Sequence, residues 1–212
     1  MNRFLVVCDV DSTLIENEAI DLLATLAGSG TEVAAITARA MAGELDFEAS
    51  LRERVATLAG LPLSAIAEVR AQLQLTRGAI QLAQVVHSQS GRLCAVSGGF
   101  SELLGDIQLA LGLDAIRANS LEIDADRLTG RLVGEIIGPE QKRNALVEWA
   151  HQFGVDPKAV VAVGDGANDL QMLDAAALGV AFDAKPIVRS RAAISLPVRD
   201  LSLLLSLLPM HR

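Results

Sequence analysis

Cysteine is scarce in this 212-residue chain: only Cys8 and Cys94 are present, each inside an apolar run. A disulfide-stapled scaffold is therefore not expected; two buried thiols in a reducing compartment are. Histidine is as sparse. His87, His151 and His211 are scattered and none closes a strand-like run, so surface or partly buried imidazoles are expected rather than catalytic ones. No block of lysines or arginines interrupts a formal net charge of -8. That balance argues against nucleic acid or an anionic membrane as partner, although a small anionic substrate stays compatible because charges within a site can oppose the global one. The C-terminal apolar run Leu201 to Leu208 is too short to span a bilayer. The first apolar run meets an aspartate at Asp9, so no signal peptide is expected there. Repeats, low-complexity tracts and long linkers are missing too. What remains is a chain that is 51% hydrophobic, expected to be cytoplasmic and long enough for one sizeable core or a core with a smaller insert.

Phe4 to Cys8 form a continuous apolar run ending at Asp9, the mark of a strand buried on both faces of a parallel sheet. Leu93 to Val96 repeat the pattern before Ser97-Gly98-Gly99, and Val160 to Val163 before Gly164-Asp165-Gly166. Val180 to Phe182 and Ala193 to Leu196 are weaker examples. Helical spacing lies between them, at Ile80, Leu82, Ala83, Val85 and Val86, and at Ala145, Leu146, Trp149 and Ala150. Alternating strands and helices predict an α/β fold with a doubly wound, Rossmann-type parallel sheet.

Residues 15–74 break the alternation. Three helical stripes occur there, Ile20/Leu22/Leu23/Leu26, Leu51/Val55/Leu58 and Ile66/Val69/Arg70/Leu73, with no strand. A small helical cap inserted after the first strand is expected, with the core formed by residues 1–14 and 75–212. Leu121 to Ile123 and Leu132 to Val133, joined through Asp124 to Gly130, predict a β-hairpin.

Two aspartates after a strand, as in Asp9-Val10-Asp11-Ser12-Thr13, are on their own ordinary turn formers or helix caps. Ser97 and Asp165 change their meaning. Each follows another buried run, and the carboxyl ends of parallel strands share the edge where ligands bind. Oxygen donors without histidine or cysteine suit Mg²⁺, with Asp9 and Asp165 as side-chain ligands. A carboxylate can also attack phosphorus. Ser97 and the Gly98 amide could donate to phosphoryl oxygens, and Lys142 could screen Asp9 from an incoming anion.

Asp9-Val10-Asp11-Ser12-Thr13, Ser97-Gly98, Lys142 and Gly164-Asp165-Gly166-Ala167-Asn168-Asp169 stand in the order of the four motifs of the haloacid dehalogenase superfamily. The chain resembles that superfamily along essentially its whole length. The resemblance implies a HAD-like fold and an in-line attack by Asp9. It implies that Asp11 serves as acid and then base, with its main-chain carbonyl on Mg²⁺. Asn168 would bind the substrate or phosphate, and Asp169 would orient Lys142 and the metal waters. A positioned acid at Asp11 favours an alkyl phosphate, whose leaving group is poor.

The insert narrows the alcohol. A zwitterionic amino acid needs an anion for its ammonium and a bidentate cation for its carboxylate; Glu18 and Arg54 are such a pair. The stretch Asp46-Phe47-Glu48-Ala49-Ser50-Leu51-Arg52-Glu53-Arg54-Val55 is similar to the cap of phosphoserine phosphatases. That resemblance implies that Glu18 meets the amino group, Arg54 the carboxylate, and Phe47 covers the substrate, O-phosphoserine. Transfer to another alcohol such as homoserine, a broader phosphomonoesterase and a silent phosphate-binding module are the rival readings. Met41 could line the pocket, but a place in the core is the stronger expectation. Asp183 puts an acid where the resemblance leads one to expect a neutral residue.

Overall fold

The computed structural model describes residues 4–209; His211 lies outside them. The strands are β1 (Leu5–Cys8), β2 (Arg92–Phe100), β3 (Ala115–Asp124), β4 (Arg127–Val133), β5 (Val160–Gly164), β6 (Leu178–Phe182) and β7 (Ile194–Leu196). They form one sheet in the order β4-β3-β2-β1-β5-β6-β7, parallel except for β3 with β4. Successive residues from Phe4 through β1 enter opposite cores: Phe4, Val6 and Cys8 join one, Leu5 and Val7 the other. Val161 and Val163 of β5 likewise face away from Val160 and Ala162. Both faces are covered, which is why these strands read as continuous apolar runs. Cys94 pairs with Val7 in the register and falls in the core opposite Cys8, so the two thiols sit on different faces and remain free.

Four helices lie between Ile15 and Leu75: α1 (Ala19–Ala27), α2 (Gly30–Met41), α3 (Phe47–Ala56) and α4 (Ser64–Arg70). Three coincide with the stripes. The fourth, α2, buries only Val33 and Ile36, too few to mark a stripe in an alanine-rich segment. The chain leaves and re-enters the sheet side by side. Ile15 bridges Leu75, the Glu16 N–H donates to the Gln74 carbonyl at 2.9 Å, and the Thr76 N–H donates to Leu14 at 2.9 Å.

The remaining helices are α5 (Ala79–Ser88), α6 (Gly105–Leu111), α7 (Pro139–Gln152), α8 (Leu170–Ala175) and α9 (Pro186–Arg189). The first and third carry the two helical patterns read from sequence.

The hairpin exists, but its strands run closer to the tip than the composition of 124–130 suggests. Asp124 pairs with Arg127 across a two-residue turn in which Ala125 and Asp126 take φ of 46° and 59°. Positive φ at both central residues suits the twist of a tight hairpin, though glycine or asparagine usually supplies it. This tip holds the turn between α3 and α4: the Gly60 N–H donates to Leu128 at 2.8 Å, the Leu128 N–H to Leu61 at 2.9 Å, and the Leu63 N–H to Asp126 at 2.9 Å.

Among the described residues no helix is long and apolar enough to cross a membrane.

Candidate active site

In the sheet β1 is flanked by β2 and β5, and the chain runs to either side of it, so the crevice beyond its carboxyl end is a topological switch point. Cys8 is in register with Ala95 and with Val163. Asp9, Ser97 and Asp165 therefore emerge together, one or two residues past three adjacent strand positions. The Asp9 N–H donates to the Val163 carbonyl at 2.9 Å and holds the turn against β5.

Lys142, fully buried, donates to Asp9 Oδ1 at 2.5 Å and to Asp169 Oδ1 at 2.6 Å. Burial alone would lower the ammonium's pKa, but the two carboxylates outweigh it and hold the group charged. Burial, followed by the charge on Asp169, pushes the Asp9 carboxyl up, and Lys142 pulls it back. Asp169 has no free oxygen, since its Oδ2 accepts from the Gly166 N–H at 3.0 Å. Asp165 is pushed up to about 7, first by burial and then by Asp169 and Glu18.

One oxygen from each of Asp9, Asp165 and Asp169 can lie within 4.8 Å of the others. Three buried carboxylates surround one buried ammonium, an excess of negative charge that calls for a cation, and the all-oxygen donor set fits a hard divalent one.

Asp11 is half-buried. Its Oδ1 accepts from the Ala19 N–H at 2.7 Å and its Oδ2 from the Ser97 hydroxyl at 3.1 Å. Burial raises its pKa against these two donors. The Ser97 hydroxyl in turn accepts from the Gly99 N–H at 2.8 Å. A Cβ on Gly99 would come within 2.6 Å of Asp11 Oδ2, so this approach requires glycine.

A cavity of about 850 Å³ opens over the strand ends. Asp9, Asp11, Gly98, Asp165 and Asn168 line it from the sheet side, and Glu18, Phe47 and Arg54 from the helical side. Ser97, Lys142 and Asp169 lie in the layer beneath, where they fix the carboxylates above them. Glu18 accepts from the Ser12 hydroxyl at 2.7 Å, and burial together with Asp11 pushes its carboxyl up. The Arg54 side chain makes one hydrogen bond, from Nε to the Ser50 carbonyl at 3.3 Å; its terminal nitrogens meet no partner among the described residues. The Phe47 ring sits over the glycine turn, 3.0 Å from where a Gly98 Cβ would stand.

Some residues of the site went unread in the sequence. Asn119 is buried; its amide nitrogen donates to the Gly98 carbonyl at 2.9 Å and its oxygen accepts from the Ile137 N–H at 2.7 Å, pinning the glycine turn from the neighbouring strand. Lys185 and Asp21 line the cavity. Met41, expected in the core, is instead 73% exposed on the cavity wall, because it ends α2 where that helix has run out of buried positions. Asp183 has an account: it sits at φ 43°, a region aspartate tolerates, and accepts from Arg199 Nε at 3.1 Å. His87 and His151 are exposed, His87 faces Asp114 at 3.3 Å, and neither lines the cavity.

The family of haloacid dehalogenase-like hydrolases matches residues 6–174, and the chain belongs to it. Its relatives narrow the membership. It is 52% identical over 198 residues to a phosphoserine phosphatase of Streptomyces coelicolor, covering 92% of this chain and 48% of that one. It is 47% identical over 197 residues to a phosphoserine phosphatase of Streptococcus thermophilus, covering 93% and 92%. The chain thus spans about half the length of the first relative and nearly all of the second. A solved phospho-aspartyl intermediate analogue of phosphoserine phosphatase shares the fold with a TM-score of 0.93 at 38% identity, covering 98% of this chain and all of the other. A substrate-bound phosphoserine phosphatase complex gives the same TM-score and identity, with 98% and 99% covered. Within the haloacid dehalogenase-like hydrolases the chain belongs to the phosphoserine phosphatases.

Proposed function

We propose that this protein hydrolyses O-phospho-L-serine to L-serine and phosphate through an aspartyl phosphate on Asp9, with Mg²⁺, as the last step of serine synthesis in the cytoplasm. The observation that carries the reading is that Glu18 and Arg54 open onto the same cavity as Asp9 and Asp11. Arg54 brings terminal nitrogens without a protein partner, ready for a bidentate carboxylate. Glu18 supplies the anion for the ammonium. Residues 15–74 form the specificity-setting cap on a core of 1–14 and 75–212, and their closure over the substrate would exclude water. The partner is a small molecule, not nucleic acid or membrane.

Asp9 and Asp165, with the main-chain carbonyl of Asp11, would hold Mg²⁺, which when bound neutralises charge on the phosphoryl oxygens. Asp9 attacks phosphorus, forming a carboxyl O–P bond as the bond to the serine oxygen breaks. Asp11 gives that oxygen its proton; burial, which raises its pKa, suits it to carry one. The Asp11 carboxylate then takes a proton from water as the water oxygen bonds phosphorus, releasing phosphate and restoring Asp9. Throughout, Lys142 keeps its charge on Asp9 and Asp169, which holds the nucleophile in line. Asn168 and the Gly98 turn, backed by Ser97, bind the phosphoryl group.

The test is phosphate release by the purified protein with Mg²⁺ over phosphoserine, phosphothreonine, phosphoethanolamine and sugar phosphates. Phosphoserine should lead in kcat/KM. Equal rates across the set would reject the amino-acid pocket, and no release from phosphoserine would reject the function.

A further inference from the structure

The carboxylates lining the cavity are Asp9, Asp11, Glu18, Asp21 and Asp165, against which stand two cations, Arg54 and Lys185. Lys142 lies below the surface and is spent on Asp9 and Asp169. A doubly charged phosphoryl group approaching this cavity meets mostly its own sign. Lys185 is the exposed lysine on the rim, and its side chain makes no hydrogen bond or ion pair among the described residues.

Its root is fixed. The Lys185 N–H donates to the Asp165 carbonyl at 3.1 Å, while Ala184 before it and Val188 after it are buried. Asp183, two residues back, is tied to Arg199 at 3.1 Å. The loop therefore holds the lysine beside Asp165 at the mouth instead of leaving it on an open surface. Its positive charge reaches across the cavity, opposing the upward push on both Asp165 and Glu18.

We propose that Lys185 is a further specificity-determining residue, the rim cation that draws a phosphoryl dianion into a cavity otherwise dominated by carboxylates. This rests on the phosphatase reading of the site. A bystander lysine on the surface would be indifferent to ligand charge; a guiding one acts through a field that salt screens, at a Debye length of about 10 Å in 0.1 M salt and about 3 Å in 1 M.

The experiment compares wild type with Lys185→Ala, Lys185→Glu and Lys185→Arg at fixed Mg²⁺ over a range of chloride concentration. Two readouts are taken: binding of inorganic phosphate by calorimetry, and kcat and KM on both O-phosphoserine and p-nitrophenyl phosphate. Lys185→Ala should weaken phosphate binding and lower kcat/KM about tenfold at low salt. The loss should sit in KM and shrink as salt rises. Lys185→Glu should lose more, and Lys185→Arg should restore the wild-type value. A loss that is the same at every salt concentration, a loss carried by kcat, or no loss in phosphate affinity would each overturn the proposal. A wild type that cleaves only the aryl ester would refute phosphoserine as substrate while the Lys185 comparison is still read on that ester. A wild type that cleaves neither would refute the phosphatase reading, and the calorimetry alone would then decide the role of Lys185.

Discussion

Gly164→Ala probes how tightly the layer beneath the cavity is built. A Cβ at this position would stand 2.5 Å from both Cγ and Oδ2 of Asp169. Carbon atoms pack at about 3.5–4.0 Å, so the carboxylate must retreat by about 1 Å. It has nowhere to go without cost: Asp169 is fully buried, with one oxygen 2.6 Å from Lys142 and the other 3.0 Å from the Gly166 N–H. Hydrogen bonds to charged groups contribute about 1.5–3 kcal/mol each, so loss of both costs about 3–6 kcal/mol. For a domain of this size that is a fall in melting temperature of about 6–24 °C. Lys142 would then lean on Asp9 alone, and a misplacement of about 1 Å in a positioning group costs about 100-fold in turnover. Thermal melting and phosphate release read the two effects. Because both substitutions act through one carboxylate, Asp169→Ala made in the Gly164→Ala background should cost little more than Asp169→Ala alone. A variant that melts within about 2 °C of wild type and keeps its turnover would refute the packing argument.

Arg54→Ala should lower kcat/KM on phosphoserine at least 30-fold, the equivalent of about 2 kcal/mol, while sparing p-nitrophenyl phosphate; equal losses on both would remove Arg54 from the carboxylate role. Asp11→Asn should slow release of the alcohol from alkyl phosphates by about 100- to 10,000-fold and from aryl phosphates far less, since a phenolate leaves without a proton; because the later water attack is common to both, the first-turnover burst of alcohol on matched esters decides it. Burial pushes the Cys94 thiol up to about 12 and raises Cys8 as well, so both should resist a thiol reagent in the native protein at pH 8 and react fully once it is unfolded. Rapid labelling of either thiol in the native state would contradict the two-sided core.

The central strands were legible because burial on both faces leaves an unbroken apolar run and the functional residue follows directly. The strand pattern alone thus brings Asp9, Ser97 and Asp165 to one edge. Three of the helices between Ile15 and Leu75, which pair with each other, were legible as apolar stripes. The fourth, α2, was not, because its two buried residues set no period. Asn119 and Lys185 escaped for a different reason. Asn119 acts by gripping the Gly98 carbonyl from another strand, and Lys185 by where a loop after β6 places it, and neither fact has a local signature. Met41 was misplaced because a methionine at a helix end packs inward or outward according to what lies opposite, which only the fold decides. Asp183 is tied by Arg199, sixteen residues on, and reads as an anomaly until that partner is seen.

The central claim is that Asp9 becomes phosphorylated during turnover. An acyl phosphate is reduced by borohydride to an alcohol, so an aspartyl phosphate becomes homoserine. The protein should be mixed with Mg²⁺ and excess phosphoserine, quenched in acid during turnover, reduced and mapped by peptide mass spectrometry. Conversion at Asp9 alone, absent without phosphoserine, is the expected result. Phosphate release with no conversion, or conversion at another carboxylate such as Asp11 or Asp165, would contradict the account.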